Sequence, residues 1–183
     1  MKNPFLIGEK VYLRPLELED APAMVGWIND PEVTRTLMIR RPMNQIAERE
    51  FIERISKGDS AQVLGIVTRR EDEFIGTTGL HAIDWRNRTT GFGIEIGVKS
   101  KWGVGYGTEA TGLMVKHAFE TLNLNRVWLH VYEYNPRGMR AYERVGFKRE
   151  GVLRQANYRE GRYWDTITMA ILREEWEAGK AKS

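Results

Sequence analysis

From Val11 the chain alternates apolar and polar residues in KVYLRPLELED, the two-residue period of a half-buried strand, and it runs into a helix start at Asp20. APAMVGWIND reads as a short helix stopped by Pro31. In NQIAEREFIERISKG, Ile46, Phe51, Ile52 and Ile55 fall near helical spacing before Gly58. QVLGIVTRR and EFIGTTGLHAID predict a hairpin turning at REDE, and TTGFGIEIGV predicts another strand. TEATGLMVKHAFETLNL sets Ala110, Leu113, Met114, His117, Ala118 and Leu122 on one side of a helix. RVWLHVYEYN is a strand and RGMRAYERV a short helix. GFKREGVLRQANY and YWDTITMAIL form a long hairpin turning near REGR, and REEWEA is a terminal helix. Consecutive strands imply antiparallel pairing, while the strand–helix–strand crossover from Gly91 to Tyr134 implies one parallel pair. The expected class is therefore α/β (α+β), a mixed, mainly antiparallel twisted sheet with helices on both faces. Residues 1–183 are expected to form a single domain, without repeats or long linkers.

Composition narrows the function classes. No apolar run approaches the roughly 20 residues of a membrane span, and MKNPFLIGEK lacks the apolar core of a secretory signal. A cytoplasmic protein without a membrane partner is expected. The net charge of +3 is spread over mixed charges with no Lys/Arg block, so no nucleic-acid partner is expected. The chain has no cysteine, which removes disulfides, thiolate–metal sites and a cysteine nucleophile. His81, His117 and His130 show no metal-ligand spacing, so no metal is expected. There is no G-x-S-x-G motif to start a serine hydrolase.

Three stretches carry candidate chemistry. KSKWGVGYGTEA sets glycines at 103, 105 and 107 between an apolar strand and a helix. That arrangement offers free N–H groups and a helix dipole to an anion; the plain alternative is a turn. In GFGIEIGV the two-residue period puts Phe92, Ile94, Ile96 and Val98 on one face and Gly91, Gly93, Glu95 and Gly97 on the other. A lone carboxylate on bare backbone suits a base acting on a ligand lying across it, and a surface ion pair is the plain alternative. In NPRGMRAYERVGF, Asn135 and Pro136 stand where a strand gives way to a helix, and Gly146 ends that helix. Tyr142, taken alone, is a packing aromatic.

Together these ordered motifs resemble the GNAT N-acetyltransferase superfamily over nearly the whole chain, from LRPLELEDA to GRYWDTITMAILREEW, with closest likeness to the RimJ/RimL type of ribosomal-protein N-terminal acetyltransferase. The resemblance implies the GNAT fold and acetyl-CoA as co-substrate. It implies that backbone N–H groups of Gly103, Val104, Gly105, Tyr106, Gly107 and Thr108 hold the pyrophosphate, with the Thr108 hydroxyl added. Trp102 stands where the superfamily has Arg or Gln, a departure that looks like the RimJ/RimL branch. By the same resemblance Ile96 and Val98 offer backbone groups to the pantetheine arm and thioester. Asn135 contacts that arm, and Tyr142 sits beside the thioester sulfur. Gly138 replaces the usual Ala or Ser.

The implied reaction is direct attack of a primary amine, most simply a protein N-terminal α-amine, on the thioester. Glu95 is the base, through water, and Tyr142 the acid. Backbone N–H groups near Ile96 to Val98 stabilise the oxyanion. Polyamine or aminoglycoside acceptors and a non-catalytic acyl-CoA-binding module remain open, as does a homodimer through the final hairpin. Acidic Glu17, Glu19 and Asp20 suit either a polyamine or a helix start. A dinucleotide fold using Glu133 for a ribose is disfavoured by G-x-G-x-G spacing and by the strand order.

Overall fold

The structure is a computed structural model and describes residues 1–39 and 41–180. Eight strands form one sheet in the order β1-β2-β3-β4-β5-β6-β8-β7. They are β1 (Leu6–Ile7), β2 (Val11–Pro15), β3 (Ala61–Thr68), β4 (Phe74–Asp84), β5 (Thr89–Ile96), β6 (Arg126–Tyr132), β7 (Lys148–Arg159) and β8 (Arg162–Leu172). Among the described residues six α-helices accompany them: α1 (Ala21–Ile28), α2 (Pro31–Thr34), α3 (Gln45–Ser56), α4 (Tyr106–Glu120), α5 (Pro136–Val145) and α6 (Arg173–Lys180). Every neighbouring pair of strands is antiparallel except β5 and β6. The mixed, mainly antiparallel sheet and its one crossover are those the sequence implies. A doubly wound parallel sheet, which a dinucleotide site would need, is not what forms.

The period of two sorts the sheet into two faces. Val11, Leu13, Leu64, Ile66, Ile75 and Leu80 pack with Ala110, Met114 and Ala118 of α4, and Tyr142 of α5 and Trp176 of α6 join the same cluster. On the opposite face Ala21, Met24 and Ile52 of α1 and α3 pack with Trp27 and Phe74. Gly97 makes that second contact possible, because a Cβ there would lie 1.9 Å from the Trp27 ring. The final hairpin turns on Glu160 and Gly161, both at positive φ, the backbone that a two-residue hairpin turn requires.

Four local expectations are corrected. Pro31 does not only stop a helix; it opens α2 at the first helical position, with Asp30 capping through the Glu32 N–H at 2.8 Å. β1 was not expected, since two residues carry no period. α4 begins at Tyr106, two residues before the expected Thr108, because Gly105 adopts a left-handed φ of 96° and serves as its N-cap. In α3 the expected apolar Ile46 is 68% exposed, and Glu48 is buried in its stead at 2%.

Asp20 also finds its role here. Its carboxylate takes two hydrogen bonds of 2.7 Å from the buried Arg14 guanidinium and one of 2.8 Å from the Glu17 N–H. The pair ties β2 to the start of α1, so Asp20 is a helix-start residue and is not free to attract a polyamine.

Candidate active site

β5 and β6 are in register only from Thr89 to Gly91 against Arg126 to Trp128. Beyond Gly91 the strands part, and the rings of Tyr142 and Phe147 pack against Phe92 at the opening, with centroids 6.2 and 6.3 Å away. On its other edge β5 stays paired with β4, where Gly93 opposes Gly79 and Glu95 opposes Thr77, and the Gly97 N–H reaches the Ile75 carbonyl at 2.8 Å. Alternation then turns the N–H and C=O groups of Ile94 and Ile96 toward the gap. A cleft of about 380 Å³ follows, lined by the end of β5, the glycine turn, the start of α4, one side of α5, and Val33, Thr36 and Leu37.

The glycine turn closes one end. Gly103 and Gly105 take φ values of 78° and 96°, where a side chain would be strained. The Trp102 N–H bonds to Lys99 O and the Glu109 N–H to Gly105 O; among the described residues no N–H between them bonds within the turn or cap. These donors stand at a helix N-terminus, where the dipole adds positive potential. A Cβ at Gly107 would lie in ordinary contact with Ile94 and Ile96, at 3.8 and 3.7 Å, on the floor of the cleft. The indole N–H of Trp102 donates to Ile96 O at 2.7 Å, and the Arg137 guanidinium lies 4.2 Å from the Trp102 ring. The turn is thus pinned to both β5 and α5.

Glu95 lines the cleft on the glycine face of β5. Its Oε1 is buried and has no hydrogen-bond partner among the described residues. Burial, and then the nearby Glu48 carboxylate of α3, push its pKa up to about 7. Glu48 is itself raised by burial. A carboxylate in that state is half ionised near neutrality and has an oxygen without a partner.

Tyr142 lines the same cleft from α5, its ring packed on Phe92. Burial pushes its hydroxyl up to about 12, and that hydroxyl bonds to no described residue. Asn135 caps α5 by accepting the Gly138 N–H at 2.9 Å through Oδ1, which leaves its Nδ2 without a partner among the described residues. A Cβ at Gly138 would lie 2.6 Å from that Nδ2, so the Ala or Ser usual at this position would shift the Asn135 amide. Arg137, Arg140 and Arg144 also line the cleft, and no ion pair to any of them is seen among the described residues.

Residues 10–148 match the family model for an acetyltransferase (GNAT) domain. The chain belongs to the GNAT acetyltransferase family. It is an N-acetyltransferase. It is 32% identical to the N-acetyltransferase p20 of Bacillus licheniformis, itself uncharacterized, over 93% of this chain and 97% of that one. It is 26% identical to the spermidine N(1)-acetyltransferase of Vibrio cholerae, covering 93% and 97%. Among solved structures, the Vibrio cholerae spermidine N-acetyltransferase in complex with CoA and spermine superposes with a TM-score of 0.85 at 24% identity, over 93% of this chain and 99% of that one. That last likeness is one of fold.

Of the GNAT residues singled out in the sequence, Glu95, Ile96, Trp102, Gly103, Gly105, Tyr106, Gly107, Thr108, Asn135 and Tyr142 line the one cleft. Val98 and Val104 do not. The Val98 N–H donates to Ile75 O at 3.3 Å and its carbonyl accepts the Lys101 N–H at 3.0 Å, so its backbone serves the turn. The Gly97 N–H is likewise taken by Ile75, so the oxyanion donors expected at Ile96 to Val98 reduce to Ile96. The Val104 side chain is exposed, and its carbonyl accepts from Lys10 Nζ at 3.3 Å. Two features went unread in the sequence. One is the arginine row 137, 140, 144, whose steps of three and four were a legible helical stripe. The other is Glu48, for which the local sequence carried no signal.

Proposed function

We propose that this GNAT enzyme transfers the acetyl group of acetyl-CoA to a primary α-amine, such as a protein N-terminus, by direct attack. The observation that carries the reading is that Glu95, Tyr142 and the glycine turn all line one cleft. The cleft fits the donor: unpaired N–H groups and an open cradle at Gly103 to Gly107 suit a pyrophosphate, and Arg140 and Arg144 add positive charge. The backbone of Ile94 and Ile96, with Asn135 Nδ2, suits the amides of a pantetheine arm.

When bound, acetyl-CoA supplies the activated acetyl thioester. Glu95 accepts the proton of the incoming ammonium, directly or through a water. With a pKa of about 7 it lies close to an α-amine at about 7.7–8.0, so the transfer is nearly balanced. The Ile96 N–H donates toward the developing oxyanion. Tyr142 keeps its proton through the working range and donates a hydrogen bond at the leaving sulfur. A complete handover from a hydroxyl of about 12 to a thiolate of about 8.5 is uphill by several kcal/mol. With no cysteine in the chain, an acyl-cysteine enzyme plays no part.

Thermal melting with acetyl-CoA, CoA, NADH and ATP, each at about 100 times a trial Kd, tests the donor. A ligand at that excess adds about 2.7 kcal/mol, or roughly 5–10 °C for a domain of this size. Stabilisation by acetyl-CoA and CoA only is expected. Stabilisation by NADH alone would sink the reading.

A further inference from the structure

Glu95 does not line the donor cleft alone. A second cavity of about 260 Å³ lies against it, and Leu37, Ile94 and Glu95 belong to both. Glu95 therefore stands in the shared wall. With the donor in the first cavity, an amine entering the second comes up against the Glu95 carboxyl group.

The second cavity has a definite chemistry. Its walls include Leu37, Met38, Ile39, Val63 and Leu80. Met38, at 73% exposure, lays an apolar side chain open to solvent at that wall. The Thr78 hydroxyl is already bonded to Gly93 O at 3.1 Å. His81 also lines the cavity, and partial burial and the neighbouring His130 push its pKa down, toward the neutral ring. Among the described residues lining either cavity, Glu95 is the sole carboxylate, while Lys101, Arg137, Arg140 and Arg144 line the first.

This charge count separates acceptor classes. A polyamine brings two or more ammonium groups and finds one half-ionised carboxylate in the walls, with Glu48 buried behind it and pushed toward its neutral form by that burial. Its further charges would lie unpaired against apolar wall, or beside arginines, and both are costly. A primary amine on an uncharged apolar body meets the reverse situation, one partner for its one amino group and apolar surface for the rest. From the two joined cavities we infer that the acceptor is a monoamine carrying an uncharged apolar body next to its amino group, and that polyamines are rejected. The inference rests on the acetyl-transfer reading and names the acceptor class within it.

The test is a kcat/KM comparison, following CoA release, for leucinamide, glycinamide, 3-methylbutylamine and spermidine. Leucinamide and 3-methylbutylamine share the apolar body, and their ratio tells an α-amine source from a simple alkylamine. The better of the two is expected to exceed spermidine by about 100-fold and glycinamide by about 10-fold, the discrimination that a few methylenes in an apolar pocket give. Met38→Glu, at an exposed position that tolerates charge, is expected to cut the apolar preference about 10-fold and raise the spermidine rate. Spermidine turned over as well as leucinamide overturns the inference and leaves acetyl transfer standing. No turnover of any amine, with the acetyl-CoA melting shift present, also overturns it. Absence of that shift overturns the donor reading as well.

Discussion

In the proposed reaction Glu95 trades stability for chemistry. Its folded pKa of about 7 lies above the ordinary 4.5, so the folded state holds the proton more tightly than the unfolded chain. The stability penalty is absent below the unfolded value, grows as pH rises toward 7, and is complete above it, at about 3 kcal/mol. Glu95→Gln removes the ionisation. The variant is expected to melt roughly 5 °C or more above wild type at about pH 8 and nearly level with it at about pH 4.5, as calorimetry would read. Activity moves the other way. An ordinary carboxylate would make the substitution most harmful at low pH, but below 7 this carboxylate is protonated in the wild type too. The loss in kcat/KM, about 10²-fold, is therefore expected to peak near pH 7–8, where the base is ionised and an α-amine is still partly charged. Tyr142→Phe is expected to lower kcat by about 10²-fold with the KM for acetyl-CoA little changed. Because burial holds the hydroxyl at about 12, the wild-type profile should show no falling limb from Tyr142 below about pH 10. Equal kcat in the variant would remove Tyr142 from the reaction.

At the scale of the element, α4 and its turn separate two uses of glycine. Gly105 sits at φ 96° as the N-cap, so Ala there is expected to cost about 1–2 kcal/mol and to shrink the acetyl-CoA melting shift. Gly112 lies inside the same helix with nothing within 4 Å of a Cβ, so Ala there is expected to stabilise by about 0.5–1 kcal/mol and leave that shift intact. Melting the two variants with and without acetyl-CoA reads both signs. The same contrast explains what the sequence disclosed. Strand parity in GFGIEIGV isolated Glu95, and the glycine spacing marked the turn, since both are local patterns. Pro31 was ambiguous because proline both follows one helix and opens the next. Glu48 was illegible because only the packing of α3 against the sheet buries a carboxylate where helical spacing had chosen Ile46. The parting of β5 from β6, which makes the cleft, is tertiary too, and no residue between Gly91 and Ile96 announces it.

Over the whole molecule the charge is modest at +3, yet its distribution around the glycine turn is not. Arg137, Arg140 and Arg144 line the cleft, and Lys10, Arg69 and Arg70, with the one carboxylate Glu9, line a separate hollow beside Val104 and Tyr106. Lys101 is the exception, because Glu73 holds it at 2.9 Å. Two groups of cations near one set of free N–H groups raise the local potential for a multiply charged anion, a field that salt screens over about 10 Å at 0.1 M. The KM for acetyl-CoA is therefore expected to rise about 10-fold between about 0.05 and 0.5 M NaCl, with kcat within about twofold, because Glu95 and Tyr142 are buried from the same ions. The control is acetyl-N-acetylcysteamine, which keeps the thioester and lacks phosphates; its KM should barely move with salt. Arg140→Ala with Arg144→Ala should flatten the acetyl-CoA dependence and leave the phosphate-free donor unaffected. Equal salt dependence for both donors would mean that screening acts on the protein or the acceptor, and the cations beside the turn would then have no part in holding the donor.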